Sequence, residues 1–130
     1  MTTPASCPCG IAAAYADCCG RYIEGGALAP TAEALMRSRY TAYTLQREDY
    51  LLATWHGGTR PASLGLGDAA AGKWLGLTVK RHAPEAGNPD RAVLEFIARH
   101  KIDGRARRLH EISRFVRENG RWYYVGGDLT

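Results

Sequence analysis

Four cysteines fall within the first 19 residues, as Cys7-Pro8-Cys9-Gly10 and Cys18-Cys19-Gly20, and the chain has no others. Thiolates at 7, 9, 18 and 19 supply the donor number and type of a closed tetrahedral zinc site, with no coordination position left for substrate. Disulfides are a second use of the same atoms. They would tie one short loop to itself, whereas disulfide frameworks usually staple distant parts of small secreted folds. No apolar stretch behind basic residues opens the chain as a secretory signal would. A redox or reactive thiol pair is the third use.

Energetics favour zinc among the three. Ordering Cys7 to Cys19 costs on the order of 1–2 kcal/mol per residue in backbone entropy. Ile11 and Tyr15 are the large apolar groups there, each returning roughly 1.5–3 kcal/mol if fully buried. Structural zinc binding, at roughly 10–16 kcal/mol apparent, is of the size required. Pro8 and Gly10 suit a tight turn that sets Cys7 beside Cys9. Ala12–Asp17 is expected to form a short helix that delivers Cys18 and Cys19 from its last turn, with Gly20 closing it.

These donors need a scaffold, and 130 residues provide one modest core beyond the cysteine segment. The formal charge is +4, and four thiolates with a divalent ion bring it to about +2. No apolar run reaches membrane-spanning length, so a soluble cytoplasmic protein is expected. Gly25-Gly26 separates a segment 1–26 from a body 27–130. Thr31 is expected to cap a helix carrying Met36, Tyr40 and Tyr43 at helical spacing, and Asp49 a second one carrying Tyr50, Leu51 and Trp55. The stretch 59–72 reads as loop. Strands are expected over 74–81, 92–101, 106–117 and 121–125.

Two turns set the register. Asn119-Gly120 is a strong type I′ hairpin signal and pairs Phe115 with Tyr124. Asp103-Gly104 as a second two-residue turn places Ala98 opposite Leu109, Phe96 opposite Glu111 and Leu94 opposite Ser113. Both agree on one apolar face containing Leu94, Phe96, Ala98, Leu109, Phe115, Trp122 and Tyr124. The other face carries Glu95, Arg99, Arg108, His110, Arg114 and Arg121. This is an α+β domain with helices packed on one side of an antiparallel sheet.

Glu111 falls in the middle of the apolar face. Burial there would raise its pKa and poise it as an acid or base, unless Arg37, Arg39 or His56 pairs with it. His56 is the second titratable candidate, and Tyr40, Trp55 and Phe96 complete the expected pocket. Arg105, Arg107 and Arg108, together with Arg37 and Arg39, could contact phosphates. A solvated basic face explains them equally well.

The cysteine spacing resembles the SEC-C zinc motif known from the tail of the SecA translocation ATPase, with Tyr15 matching an aromatic and Ile11-Ala12 standing where that motif has Ser-Gly. The runs LMRSRYTAY (35–43), DYLLATWH (49–56), KWLGLTV (73–79) and HEISRFVRENGRWYYVGG (110–127) resemble the YchJ or UPF0225 family. That resemblance implies a cone-like nuclear transport factor 2-like body, in which a curved sheet wraps helices around a cavity, behind a zinc knuckle that docks a protein partner. The expected function is a zinc-binding adaptor whose cone takes a small ligand or second partner. A small-molecule isomerase or dehydratase using Glu111, and an RNA-binding module, are the alternatives.

Overall fold

The computed structural model describes residues 7–11, 13–64, 73–85, 87–102 and 104–129. Helices come first: a 3₁₀ turn at Tyr15–Asp17, α1 (Gly20–Ile23), α2 (Ala32–Thr44) and α3 (Glu48–Ala53). Four strands follow, β1 (Lys73–Glu85), β2 (Asn88–Ile102), β3 (Arg105–Glu118) and β4 (Arg121–Leu129). They form one antiparallel sheet in the order β1-β2-β3-β4. No helix among the described residues is long and apolar enough to cross a membrane.

The sheet register follows from its turns. Asn119 and Gly120 both have positive φ, 54° and 77°, as a type I′ turn requires. They align Glu118 with Arg121 and Phe115 with Tyr124. Across β2 and β3, Ala98 faces Leu109, Phe96 faces Glu111 and Leu94 faces Ser113. Of the turn between them, Gly104 has φ 78°, and Asp103 lies outside the described residues. Leu94, Ala98, Phe115 and Trp122 are buried under the helices, as the two turns together predict.

Helix α2 supports most of the packing. Thr31 caps it, its Oγ1 accepting from the Ala34 N–H at 3.1 Å. Leu35 and Met36 join Leu94, Phe115 and Trp122 in one core cluster, while Tyr40 and Ala42 join Leu51, Ala98 and the cysteines in another. The cysteine segment is therefore continuous with the body's core, although Gly26 does leave the segment with φ 75°.

Several local expectations shift. The 3₁₀ turn replaces the expected helix at 12–17, of which residue 12 lies outside the described residues, and Gly20 begins α1 instead of ending a helix. Helix α3 starts at Glu48 with Arg47 at the cap position, so Asp49 sits in the first turn, where its carboxylate accepts from Arg47. Trp55 and His56 follow α3 and hook onto β4: the His56 N–H donates to the Tyr124 carbonyl at 2.8 Å, and the Tyr124 N–H to that of Thr54 at 2.9 Å. Strand β4 continues beyond Val125 after a bulge that pairs Arg114 with Gly126 and Ser113 with Gly127. Residues 59–64 are irregular, and 65–72 of the expected loop lie outside the described residues.

Removing the α2 cap tests whether this helix sets the stability of the fold. Thr31→Ala should lower unfolding free energy by about 1 kcal/mol, read as a reduced urea midpoint at unchanged m-value.

Candidate metal centre and adjoining cavity

Pro8 and Gly10, the latter with φ 97°, close a turn in which the Gly10 N–H donates to the Cys7 carbonyl at 3.1 Å. Cys7 and Cys9 project from this turn. Cys18 ends the 3₁₀ turn in an irregular conformation, φ −129° and ψ −112°, and Cys19 caps α1. That break lets two consecutive residues aim at one centre. Gly20 is required beside it, because a Cβ there would lie 2.7 Å from the Tyr15 carbonyl oxygen.

All four cysteines are free and buried, and their Sγ atoms lie within 4.8 Å of one another. The Cys9 and Cys18 sulfurs are 3.6 Å apart. Tetrahedral coordination with metal–sulfur bonds of about 2.3 Å places sulfurs about 3.8 Å apart, so the donor set fits a metal ion. As thiols alone, Cys9, Cys18 and Cys19 do not ionise together. Hydrogen bonding from Cys19 brings Cys9 down to about 5, whereas burial raises Cys18 to about 11. Hydrogen bonding to Cys9, followed by burial, also raises Cys19. A cation at the centre would stabilise all four thiolates.

Two residues one turn apart on α2 grip this loop. Arg37 Nη1 donates to the Cys9 carbonyl at 2.7 Å while its Nε pairs with Glu33 at 3.0 Å. Thr41 Oγ1 donates to Cys19 Sγ at 3.3 Å and lies 3.7 Å from Cys7 Sγ. The sequence alone marks neither as a partner of the cysteine loop. Their spacing of four would have put them on one helix face, but nothing in the sequence says which face meets the cysteines.

The sheet-facing side of α2 roofs a cavity of about 230 Å³. Tyr40, Phe96 and Glu111 line it, with Trp74 and Leu109 extending the apolar wall. The polar end holds Arg39, Tyr43, Ser113 and Tyr124. Glu111 Oε2 accepts from the Ser113 hydroxyl and from the Tyr124 hydroxyl, the latter at 3.4 Å. Burial, reinforced by the Glu111 charge, pushes the Tyr124 phenol well above its ordinary range. Tyr43 is likewise raised by burial.

The expected partners of Glu111 are engaged elsewhere. Arg37 serves the cysteine loop. Arg39 donates through Nη1 to the Leu51 carbonyl and to Thr54 Oγ1, each at 2.7 Å, and its guanidinium carbon lies 4.5 Å from the Tyr124 ring centre. His56 does not line this cavity: its Nε2 lies 3.1 Å from Glu118 on the exposed β3–β4 hairpin. Trp55 is also absent from the cavity wall, standing edge-on behind Tyr124 at 4.9 Å. Both follow α3, so the helical spacing that grouped Trp55 with Tyr50 and Leu51 ends before it. Of the arginines, Arg37 and Arg39 lie on α2, Arg39 being buried there, whereas Arg105, Arg107 and Arg108 lie exposed at the start of β3.

Room for Glu111 comes from Gly127, where a Cβ would overlap the carboxylate and come within 2.9 Å of its Cγ. Gly127→Ala should cost about 1–3 kcal/mol by overpacking. In a Glu111→Ala background the cost should largely vanish, a coupling that chemical denaturation of the four proteins would measure.

A family model described as "YchJ, middle NTF2-like domain" matches residues 31–127, the whole body from the α2 cap into β4. A UPF0225 protein from Chromobacterium violaceum is 58% identical over 125 residues, covering 95% of this chain and 92% of its own length. One from Bordetella parapertussis is 54% identical over 130 residues, covering 98% and 96%. The solution structure of a SEC-C motif containing protein from Rhodopseudomonas palustris superposes with a TM-score of 0.84 at 34% identity, over 97% of this chain and 99% of that one. The crystal structure of a SEC-C motif containing protein from Psychrobacter arcticus gives 0.78 at 29% identity, over 96% and 82%.

Proposed function

The chain belongs to the YchJ (UPF0225) family, and from that premise we propose a cytoplasmic, zinc-stabilised receptor in which Cys7, Cys9, Cys18 and Cys19 hold Zn²⁺ and the cavity beneath α2 binds a small molecule. The observation carrying this reading is the cavity's inner end. Glu111 lines it with no cation at ion-pair distance among the described residues, and both its hydrogen bonds go to one oxygen. A carboxylate serving only structure would pair with the nearby arginine; this one is left facing the cavity. At about 230 Å³ the space is below the roughly 300–1,000 Å³ of drug-sized sites, so the ligand is small.

Zinc suits four buried sulfur donors, and bound there it supplies structure with no open coordination position. Reduced thiols persist in the cytoplasm. Docking of a protein partner through the knuckle is supported by Ile11, an exposed apolar side chain on that loop. Acid–base catalysis on the bound molecule is a second reading, favoured by the same unpaired Glu111.

Elemental analysis should give one zinc per chain, and native mass spectrometry of untagged protein should show a retained small molecule. Phe96→Trp should fill the cavity and abolish that retention while keeping the zinc; retention unaffected by Phe96→Trp would refute the cavity as the site. Because the cysteines share a core cluster with Tyr40, Leu51 and Ala98, Cys9→Ser or chelation should expose amides of α2 near Arg37 and Thr41 as well as those of the knuckle. Hydrogen exchange confined to residues 7–23 would instead show an independent module.

A further inference from the structure

The inner face of β3 runs on past the cavity. Ser113, Glu111 and Leu109 line it, and the next two residues with that orientation are Arg107 and Arg105. At about 3.4 Å per strand residue, Arg107 stands about 7 Å beyond Leu109 and about 14 Å from Glu111. Both arginines are exposed, and neither makes an ion pair or ring contact among the described residues. Directly opposite Arg107 is His100, whose Nδ1 is buried without a hydrogen-bond partner and whose ring lies 5.3 Å from Trp74 in the cavity wall. A buried orphan of this kind calls for an explanation.

The same hairpin concentrates positive charge. Between residues 96 and 110 the chain has five arginines and lysines against one acid, Asp103. On the outer face Arg99 is paired directly with Arg108, a like-charge juxtaposition that costs stability. A one-signed field at one end of a low-dielectric cleft raises the local concentration of oppositely charged ligand.

We infer that the cavity takes a one-ring aromatic acid, its ring among Tyr40, Trp74 and Phe96 and its anionic oxygens held at the rim by Arg107 and Arg105. This deepens the receptor reading above and rests on it. The cavity walls supply the selectivity for a ring: Tyr40 and Trp74 meet edge to face at 5.6 Å, leaving flat apolar surfaces. Glu111 fixes the orientation. An anion pushed inward would meet that carboxylate, so the acid points outward and a donor group on the far side of the ring points to Glu111. Carboxylate and phosphate share the chemistry, since arginine recognises both through paired N–H groups.

The test uses the zinc-loaded full chain and calorimetric titration with 4-hydroxyphenylacetate, its neutral amide and 4-hydroxybenzyl phosphate. One or both acids should bind at least about tenfold tighter than the amide, with the ratio falling as salt is added; whichever acid binds tighter identifies the source of the anionic group. Arg107→Glu should reverse the preference, and Arg105→Ala combined with Arg107→Ala should erase it. Arg99→Ala, on the outer face, should retain it. Equal binding of acid and amide, or a preference that survives in the double variant, overturns the inference while leaving the cavity as a site. If no ring compound binds and Phe96→Trp leaves retention unaffected, the receptor reading falls with it.

Discussion

Four sulfur donors buried within 4.8 Å of one another cannot all carry charge unless a cation neutralises them. That electrostatic constraint organises the molecule. A metal bound there would make the loop around it a rigid surface; α2 is fastened to that loop by Arg37 and Thr41 and presents its remaining faces to the sheet. The cavity exists because the helix is held from behind. Its roof residues Met36, Arg39, Tyr40 and Tyr43 recur every three or four positions and interleave with the two that grip the loop.

Arg39 is a second tie of unusual composition. It is 4% exposed, and no carboxylate lies at ion-pair distance among the described residues. Burial lowers its pKa, while the surrounding tyrosines and Glu111 oppose that shift. Its charge is met by a carbonyl, a hydroxyl and the faces of Trp55 and Tyr124, interactions that strengthen when desolvated. This joins α2, α3 and β4 at one point, and it leaves Glu111 unclaimed at the polar end of the cavity. A buried cation satisfied without an acid is what leaves the half-buried Glu111 free of an ion pair among the described residues.

Much of this was legible in the residues. The hairpin register could be read because Asn119-Gly120 tolerates positive φ at both positions, and an error of one residue would have exposed Phe115 and Tyr124. That the four cysteines gather at one centre was equally plain from composition and spacing. Where long-range contacts override local preference, the reading ran out. Ala12–Asp17 has helix-forming residues, but delivering Cys18 and Cys19 to one centre demands a break. Gly126-Gly127 resembles a turn, yet pairing with β3 keeps it extended. Trp55 continues the pattern of α3 in sequence, but the backbone hydrogen bonds of Thr54 and His56 to Tyr124 hold it away from the cavity wall. Gly127's service to Glu111 links residues sixteen apart and leaves no local trace.

The bulge in β4 has a chemical meaning beyond its geometry. Inward and outward positions alternate along a strand, so the additional residue decides which members of the sequence Gly126-Gly127-Asp128 face the helices. In the observed register Asp128 lies opposite Ile112 and reaches Arg114 on the solvent side at 2.9 Å. Were the bulge straightened, with Val125 kept and paired to Arg114 and the ladder continued evenly, Asp128 would stand opposite Glu111, and the cavity would gain a carboxyl pair sharing a proton. Keeping or straightening this one bulge therefore decides whether the cavity holds one carboxyl group or two, without altering a single side chain already in the wall.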